Sequence, residues 1–494
     1  MTTDVATSRV LVERDDLVDT LAARLGEGWR LALTSAREVD DRIRITHLLL
    51  RPVNQRLEIE VDISTHDAWV PTLAGVSWAG GRFDREIRDL FGVEPRHHPL
   101  PRRMVRHGHW PAGWYPMRRD AGEVPDFPED VGSYPFVHVE GPGVYEIPVG
   151  PVHAGLIEPG HFRFSVVGET IVRMKARLWF VHRGVEKHFE GRSPADGIAL
   201  AERISGDTAV GHALAYAMAV EQAAGVPVAA RARATRALLL ELERIHNHVA
   251  DLGAIVNDVG FGIVHAHTQR LRESLLRHHE QLTGHRLLRG GITLGGATLR
   301  ASPDLDLLDA VAAEVAELVD ISLDHPTVRD RLTGTAVLDE DSARQLDVLG
   351  YVARASGIDS DARRDHPFLA PPASWAPVLH GTGDVLTRFR VRAEEIAVSV
   401  AMARELAELL AAASPDAGPA EPASCSGAGV VEAWRGTLVT RVDLDGSGSL
   451  GRVKIVDPSF FNWPALPVAL SDTIVPDFPL ANKSFNQSYA GNDL

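Results

Sequence analysis

The chain has 494 residues, enough for two or three domains around a large core. Apolar residues make up 45% and charged residues 24%, the balance of an ordinary folded protein, while a net charge of −16 argues against general nucleic-acid binding, which favours basic surfaces. A single cysteine, Cys425, excludes an intrachain disulfide and fits a reducing, cytosolic compartment.

In chain order, the stretch 1–20 is polar and carries no signal-peptide core. A helix is expected over 13–25. Strands follow: "IRITHLLLRP" and "QRLEIEVDIS" are rich in β-branched residues and alternate apolar with polar ones. Residues 84–93 read as a short amphipathic helix, so residues 1–120 predict a small α+β domain. Its end, 96–120, is basic, aromatic and proline-rich; in an acidic chain it reads as a solvated extended loop or as an arm docking on an acidic partner, the second being favoured. Residues 121–143, rich in Pro, Gly and acids, read as a linker.

"VYEIPVGPVHAG" and "HFRFSVVGETIVRMKARLWFV" predict strands over about 144–181. From Ser193 the chain turns helical, with Ser193 as N-cap, Pro194 at the first position and Asp196 at the third. Apolar stripes at helical spacing over 229–257, 264–283, 304–321 and 385–413 predict a bundle. Residues 414–429 read as a low-complexity loop. "GTLVTRVDLDGSGSLGRVKIVDPSF" returns to strand–turn–strand, with Asp445-Gly446 as the turn. The fold expected over 144–494 is a mainly α-helical bundle domain with peripheral β-strands, behind the α+β N-terminal domain. No run approaches the roughly 20 apolar residues of a membrane span.

The segment Arg203-Ile204-Ser205-Gly206-Asp207-Thr208-Ala209-Val210-Gly211-His212 has the frame Arg-x-Cys-Gly-x-Cys-x-x-x-His with both cysteines replaced. His246, His248, His265, His267, His278, His279 and His285 suggest a metal cluster. His246 and His248, two apart on a helix, face different directions, so these are read as helix-surface or interface histidines. No Gly-x-Gly-x-x-Gly follows a strand, so NADH oxidation requires another subunit. No Cys-x-x-Cys exists, so an iron–sulfur cluster is expected in a partner subunit.

Several segments, taken in order, resemble one family, the catalytic large subunit of group 4 nickel–iron hydrogenases, including the formate hydrogenlyase type, and its relative, the 49-kDa subunit of respiratory complex I. "IPVGPVHAGLIEPGHFRF" looks like its opening hairpin and "HRGVEK" (182–187) like its Arg-Gly-x-Glu motif. "AERISGDTAVGHALAY" looks like its first cysteine motif, and "GDVLTRFRVRAEEI" and "RVKIVDPSFFNWPAL" match later blocks. "DREIRDLFGVEPRHHPLPRRM" is similar to the signature of the 30-kDa subunit, which some members carry fused in the same chain. The resemblance spans nearly all of residues 10–494.

The resemblance implies four thiolates on nickel and iron, because soft metals need soft, deprotonated sulfur. At the first pair stand Ser205 and Thr208, whose hydroxyls ionise far above the thiol's pKa of about 8.5. In "NKSFNQSYAGNDL" the second pair falls on Ser488 and Gly491, and the chain stops at Leu494 without the removable tail that metal-maturing members often carry. A hydrogenase activity of this chain is therefore not expected, and no metal or cofactor is assigned to it.

Quinone remains open, since in complex I the corresponding cavity receives the quinone headgroup. The family's quinone-site His and Tyr fall on Ile157 and Gly206, with His153 a hairpin histidine that could substitute. Glu186, Asp207 and His212 are candidates for a proton relay, Glu186 through a raised pKa, against the alternative of a salt bridge to Arg183 or Lys187. Arg203, Ser205, Gly206, Thr208, Ser488 and Gly491 are expected on the cavity wall, with Arg203 anchoring the motif through charge-assisted hydrogen bonds.

The function expected is that of a subunit of a membrane-associated, hydrogenase-like or NADH-quinone-oxidoreductase-like electron-transfer complex with a vestigial nickel–iron site. The alternative is a non-catalytic scaffold docking an iron–sulfur small subunit to the membrane arm. Antiporter-like membrane subunits are the other expected partners, and the location expected is cytoplasmic, peripheral to the inner face of the cell membrane.

Overall fold

The computed structural model describes residues 5–127, 134–155, 157–416 and 423–494. The first module holds β1 (Ala6–Leu11), α1 (Leu17–Gly26), β2 (Arg30–Val39), β3 (Arg42–Arg51) and β4 (Gln55–Ser64). The strands lie in the order β1-β4-β3-β2, with β1 parallel to β4 and the other pairs antiparallel. A short parallel pair, β5 (Trp69–Pro71) and β6 (Glu94–Arg96), flanks α2 (Trp78–Phe91).

Helix α2 starts six residues before the sequence suggested. Ser77 caps it by accepting the Gly80 N–H at 3.0 Å. Gly80 and Gly81 press on Leu73 and Ala74, where a Cβ would sit 2.8 Å away. Two glycines interrupt the apolar stripe and hide this first turn. The helix ends at Gly92 (φ 74°), where any side chain would strike the Tyr115 ring.

Residues 96–120 do not project as a docking arm. Asp89 on α2 accepts the N–H groups of Met104, Val105 and Arg106 at 2.7, 2.9 and 3.1 Å, and Met104 and Val105 are buried. Arg103 and Arg106 donate to the carbonyls of His107, Trp110 and Pro111. The arginines that looked available to a partner hold this segment to itself.

An antiparallel sheet follows: β7 (Val144–Val149), β8 (His161–Val167) and, at one edge, β9 (Thr170–Arg177). Then come α3 (Val185–Phe189), α4 (Pro194–Ala201), α5 (Ala209–Ala224), α6 (Ala230–Asn257) and α7 (Gly262–Thr283). A small hairpin, β10 (Ile292–Thr293) and β11 (Gly296–Ala297), precedes α8 (Leu305–Asp324). Four short helices, α9 (Pro326–Leu332), α10 (Glu340–Gln345), α11 (Gly350–Ala355) and α12 (Ala362–Asp365), lead to α13 (Val385–Ala412). The long helices α6 and α13 pack along each other as the spine of the bundle.

The last sheet is β12 (Ser426–Ala433), β13 (Gly436–Leu444) and β14 (Leu450–Val456), followed by α14 (Ser459–Asn462), α15 (Ala465–Ala469), α16 (Phe478–Phe485) and α17 (Tyr489–Asp493). It is central, not peripheral as expected. One face lies on α5, so close that Gly427 and Gly429 leave no room for a side chain beside the Ala219 and Ala215 carbonyls. The first module covers the sheet from its other side. Arg441 holds Glu58 at 2.9 Å, Lys454 holds Glu86 at 2.5 Å, and Arg452 donates to the Ala36 carbonyl at 3.0 Å. Ala428, Val430, Val439 and Val456 join the core of the first module, so the two modules share one apolar core. No helix among the described residues is long and apolar enough to cross a membrane.

Candidate functional site

The loop 202–208 and the C-terminal segment meet although 283 residues separate Ser205 from Ser488. Ser205 Oγ lies 2.8 Å from Ser488 Oγ and donates to Asp207 Oδ1 at 2.9 Å. Thr208 Oγ1 donates to the same oxygen at 3.0 Å. Arg435, at the tight turn between β12 and β13, grips Asp207 with both terminal nitrogens, at 2.7 and 2.6 Å. Its guanidinium stacks 3.9 Å over Trp434, whose Nε1 donates to Thr208 Oγ1 at 3.1 Å. Ser488 caps α17 by accepting the Gly491 N–H at 2.9 Å. Behind Gly491 stands Asp457, paired with His212 Nε2 at 3.0 Å; a Cβ on Gly491 would sit 2.7 Å from the Asp457 carboxyl carbon.

Six of the expected residues thus converge: Ser205, Asp207, Thr208, His212, Ser488 and Gly491. Burial alone would raise the Asp207 pKa. The Arg435 charge and the Ser205 and Thr208 hydroxyls overcome it and hold the carboxyl well below the usual range. Asp207 is a fixed anion here, and its expected relay role is corrected.

Glu186 is buried on α3 and lies in another set of contacts. It takes hydrogen bonds from Arg452 at 2.7 Å and the Ile455 N–H at 3.0 Å, and lies 3.1 Å from Lys454 Nζ. Against the pull of burial, Arg452 and Lys454 bring it down to about 2. The expected raised pKa is overturned, and the salt bridge runs to β14 instead of Arg183 or Lys187. Arg183, between β9 and α3, ties that segment to the first motif, donating to the Arg203 and Ile204 carbonyls at 3.2 and 2.6 Å. Arg203 itself is exposed and, from the turn after α4, donates back to the Ala199 carbonyl, so it does not anchor the motif.

Gly206 lies exposed with open space where a side chain would begin. His153 closes its own hairpin through the Gly160 carbonyl at 2.8 Å, and Gly160 packs on Tyr489, next to Ser488. No hydrogen bond among the described residues joins His153 to the hydroxyl group, and Ile157 is exposed. The histidines read as surface residues are partly core residues: His246, His248, His278 and His279 are buried. Burial pushes His246 and His248 down to about 4, and His248 holds Glu395 at 2.8 Å.

Sequence reasoning missed Arg435, Trp434, Asp457 and Glu243. The first two follow an apolar strand at a two-residue turn, with nothing local to mark them. Asp457 sits inside "RVKIVDPSFFNWPAL", where an acid ending an apolar strand before proline was a usable signal. Glu243 looked like an ordinary charge on α6. It is buried and accepts the Val210 and Gly211 N–H groups of α5 at 2.7 and 3.0 Å; burial raises it to about 8, against those two bonds.

Residues 10–124 match the family described as respiratory-chain NADH dehydrogenase, 30 Kd subunit, and residues 258–419 match the 49 Kd subunit. Residues 183–252, which carry the site loop, match nickel-dependent hydrogenase. Formate hydrogenlyase subunit 5 of Escherichia coli (strain K12) is 32% identical over 461 residues, covering 89% of this chain and 79% of that protein. The chain belongs to the group 4 nickel–iron hydrogenase large-subunit family. The complex I side of this family is represented by an NADH-quinone oxidoreductase chain of Phocaeicola vulgatus, 29% identical over 72% of this chain and 74% of that one. Among solved structures, a chain of the membrane-bound sulfane sulfur reductase, an archaeal respiratory membrane complex, aligns with a TM-score of 0.63. It is 26% identical, over 71% of this chain and 99% of that one.

The family's nickel and iron do not fit the residues present. At the positions where the resemblance expects thiolates stand three hydroxyls, engaged with one another, with Asp207 or with Trp434. The fourth position has no side chain, and Asp457 fills the space where one would start. Neutral hydroxyls do not supply the soft anionic ligands such a centre needs.

Proposed function

We propose that this chain is the docking large subunit of a membrane-associated electron-transfer complex and carries no metal chemistry of its own. In this reading it holds a cluster-bearing small subunit against an antiporter-like membrane arm, at the inner face of the cell membrane. The observation that carries it is the saturation of Asp207 by Arg435, Ser205 and Thr208, which turns the family's metal position into a joint between the loop 202–208 and the C-terminal helices. A quinone would find no free donor among these groups, and His153 is engaged with Gly160.

Metal analysis of the purified complex tests the first half: nickel is expected to be absent from this chain, and one nickel per chain overturns the reading. Asp207→Asn, with assembly and turnover measured separately, tests the second. Impaired assembly is expected; intact assembly with lost turnover favours catalysis at this site.

Glu243 supports a second reading, a proton-holding role. It is a buried carboxyl at the N-terminus of α5, raised to about 8 by burial. Glu243→Gln that lowers turnover with a shifted pH profile, in an assembled complex, would favour it.

A further inference from the structure

A cleft of about 1030 Å³ opens where the first module meets β9, α10 and α15. Arg82, Arg85 and Arg177 line its floor. Among the described residues none of the three forms an ion pair. Arg82 donates to the Phe460 carbonyl and Asn492 and stacks 4.1 Å over the Phe460 ring. Arg85 donates to the carbonyls of Arg102 and Arg103 and bonds the Tyr134 side chain. Arg177 donates to the carbonyls of Met104 and Arg106 and stacks 4.6 Å over Tyr134. Arg177 Nε is buried without a partner. Elsewhere six buried arginines, Arg236, Arg244, Arg354, Arg392, Arg435 and Arg441, each hold a carboxylate, while Arg56 and Arg388 stand singly without one. Among the described residues, only in the cleft do three such arginines gather. Burial and the neighbouring Arg85 charge bring Arg82 down to about 9, a sign of how poorly this positive charge is compensated. Three clustered cations without a carboxylate in contact, in a chain of net charge −16 and with Asp347 the one acid on the cleft lining, point to an anionic occupant.

Two further features define its shape. The rim exposes large apolar side chains: Trp78 (53%), Val172 (45%), Leu100 (40%) and Val468 (40%). One wall is β9, the edge of its sheet. Only its start is covered, by the Ile171 pairing with Asp472 and Thr473; among the described residues no other backbone pairs with 172–177 on that side. An open strand edge, a cationic floor and an apolar rim match an extended chain whose side chains alternate between two faces.

We propose that this cleft receives an extended acidic segment of a partner subunit, which adds to the β7–β8–β9 sheet along β9. Its carboxylates lie over Arg82, Arg85 and Arg177, with Arg173 at the entrance, and its apolar side chains pack on Trp78 and Val172. The proposal rests on the docking reading only for the existence of a partner. The full chain alone tests the cleft: it is titrated with a fluorescent peptide alternating Glu with Val, with the same peptide carrying Lys for Glu, and with inorganic pyrophosphate as competitor.

The acidic peptide is expected to bind and the basic one not. Arg173→Glu, on an exposed side chain, is expected to weaken binding about tenfold or more. Arg231→Glu, exposed at the far start of α6, is expected to leave it unchanged. Equal binding of both peptides, displacement by stoichiometric pyrophosphate, or indifference to Arg173→Glu overturns the proposal. In the assembled complex, a photo-crosslinking residue at Val172 is expected to capture an acidic stretch of another subunit. Capture of this chain, of lipid or of nothing overturns it. Peptide binding by a chain found in no complex would instead sink the docking reading and leave the cleft standing.

Discussion

At the junction of Ser205 and Ser488 every charge has a partner of opposite sign, whereas in the cleft below Trp78 three guanidiniums hold backbone carbonyls, one amide and aromatic rings but no carboxylate. Both regions lie between segments far apart in sequence. In the first, Asp207 and Arg435 neutralise each other, and the hydroxyls around them form a closed set that leaves nothing for a ligand. In the second, positive charge, an apolar rim and an open strand edge stay unsatisfied within the chain. The contrast teaches that polar groups paired within the chain serve the fold, while charge left without an opposite partner marks where to look for a ligand.

Breaking the closed region is expected to have the largest effect. Asp207→Ala leaves Arg435 buried without its anion. The loss is expected to be about 2–4 kcal/mol in denaturant unfolding, below that of a fully buried pair because the Asp207 side chain is 38% exposed. Asp207→Ala with Arg435→Met should recover much of it; if the double variant is as unstable as the single, the pair is not what closes the joint. Gly491→Cys pushes a Cβ against Asp457 and is expected to cost about 1–3 kcal/mol without conferring nickel binding. A stable, metal-loaded variant would erase the contrast.

Ser205→Ala or Ser488→Ala removes one partner of a buried hydroxyl pair and is expected to cost about 1–2 kcal/mol, with the double variant costing less than the sum. The pH dependence sharpens the picture through Glu243. Its folded pKa of about 8 lies above the unfolded value of about 4.3. Its contribution to stability is therefore full below the unfolded value and is lost as pH rises through 8. Glu243→Gln should flatten the fall in Tm between mildly acidic and alkaline pH; an unchanged slope places the proton elsewhere. The smallest effect is expected on the open side. Arg173→Glu should change stability by no more than about 0.5 kcal/mol. A large destabilisation there would mean that the cleft charge already serves the fold.

Much of this was legible before the fold was known. The long helices α6, α7, α8 and α13 lie within three residues of the ranges their apolar stripes gave, because a one-sided stripe has one way to be buried. The spacing of Ser205, Thr208, Ser488 and Gly491 identified the positions that meet. Local pattern failed where burial came from distant segments. The start of α2 was hidden by glycines chosen for close packing, and Arg103 and Arg106 looked free because their acceptors are backbone carbonyls. The central place of β12–β14 depends on two glycines under α5 and on a first module laid across the far face.

By itself the sequence determined the family and a chain with one cysteine, since these depend only on residue type and order. Only the tertiary structure decided what became of the charge. A carboxyl's pKa and a guanidinium's partner are set by groups within a few ångströms, and these come from any part of the chain. That is why Asp207 is paired with Arg435, Glu186 is a strut to β14, and Arg82 and Arg177 line a cleft without a carboxylate partner.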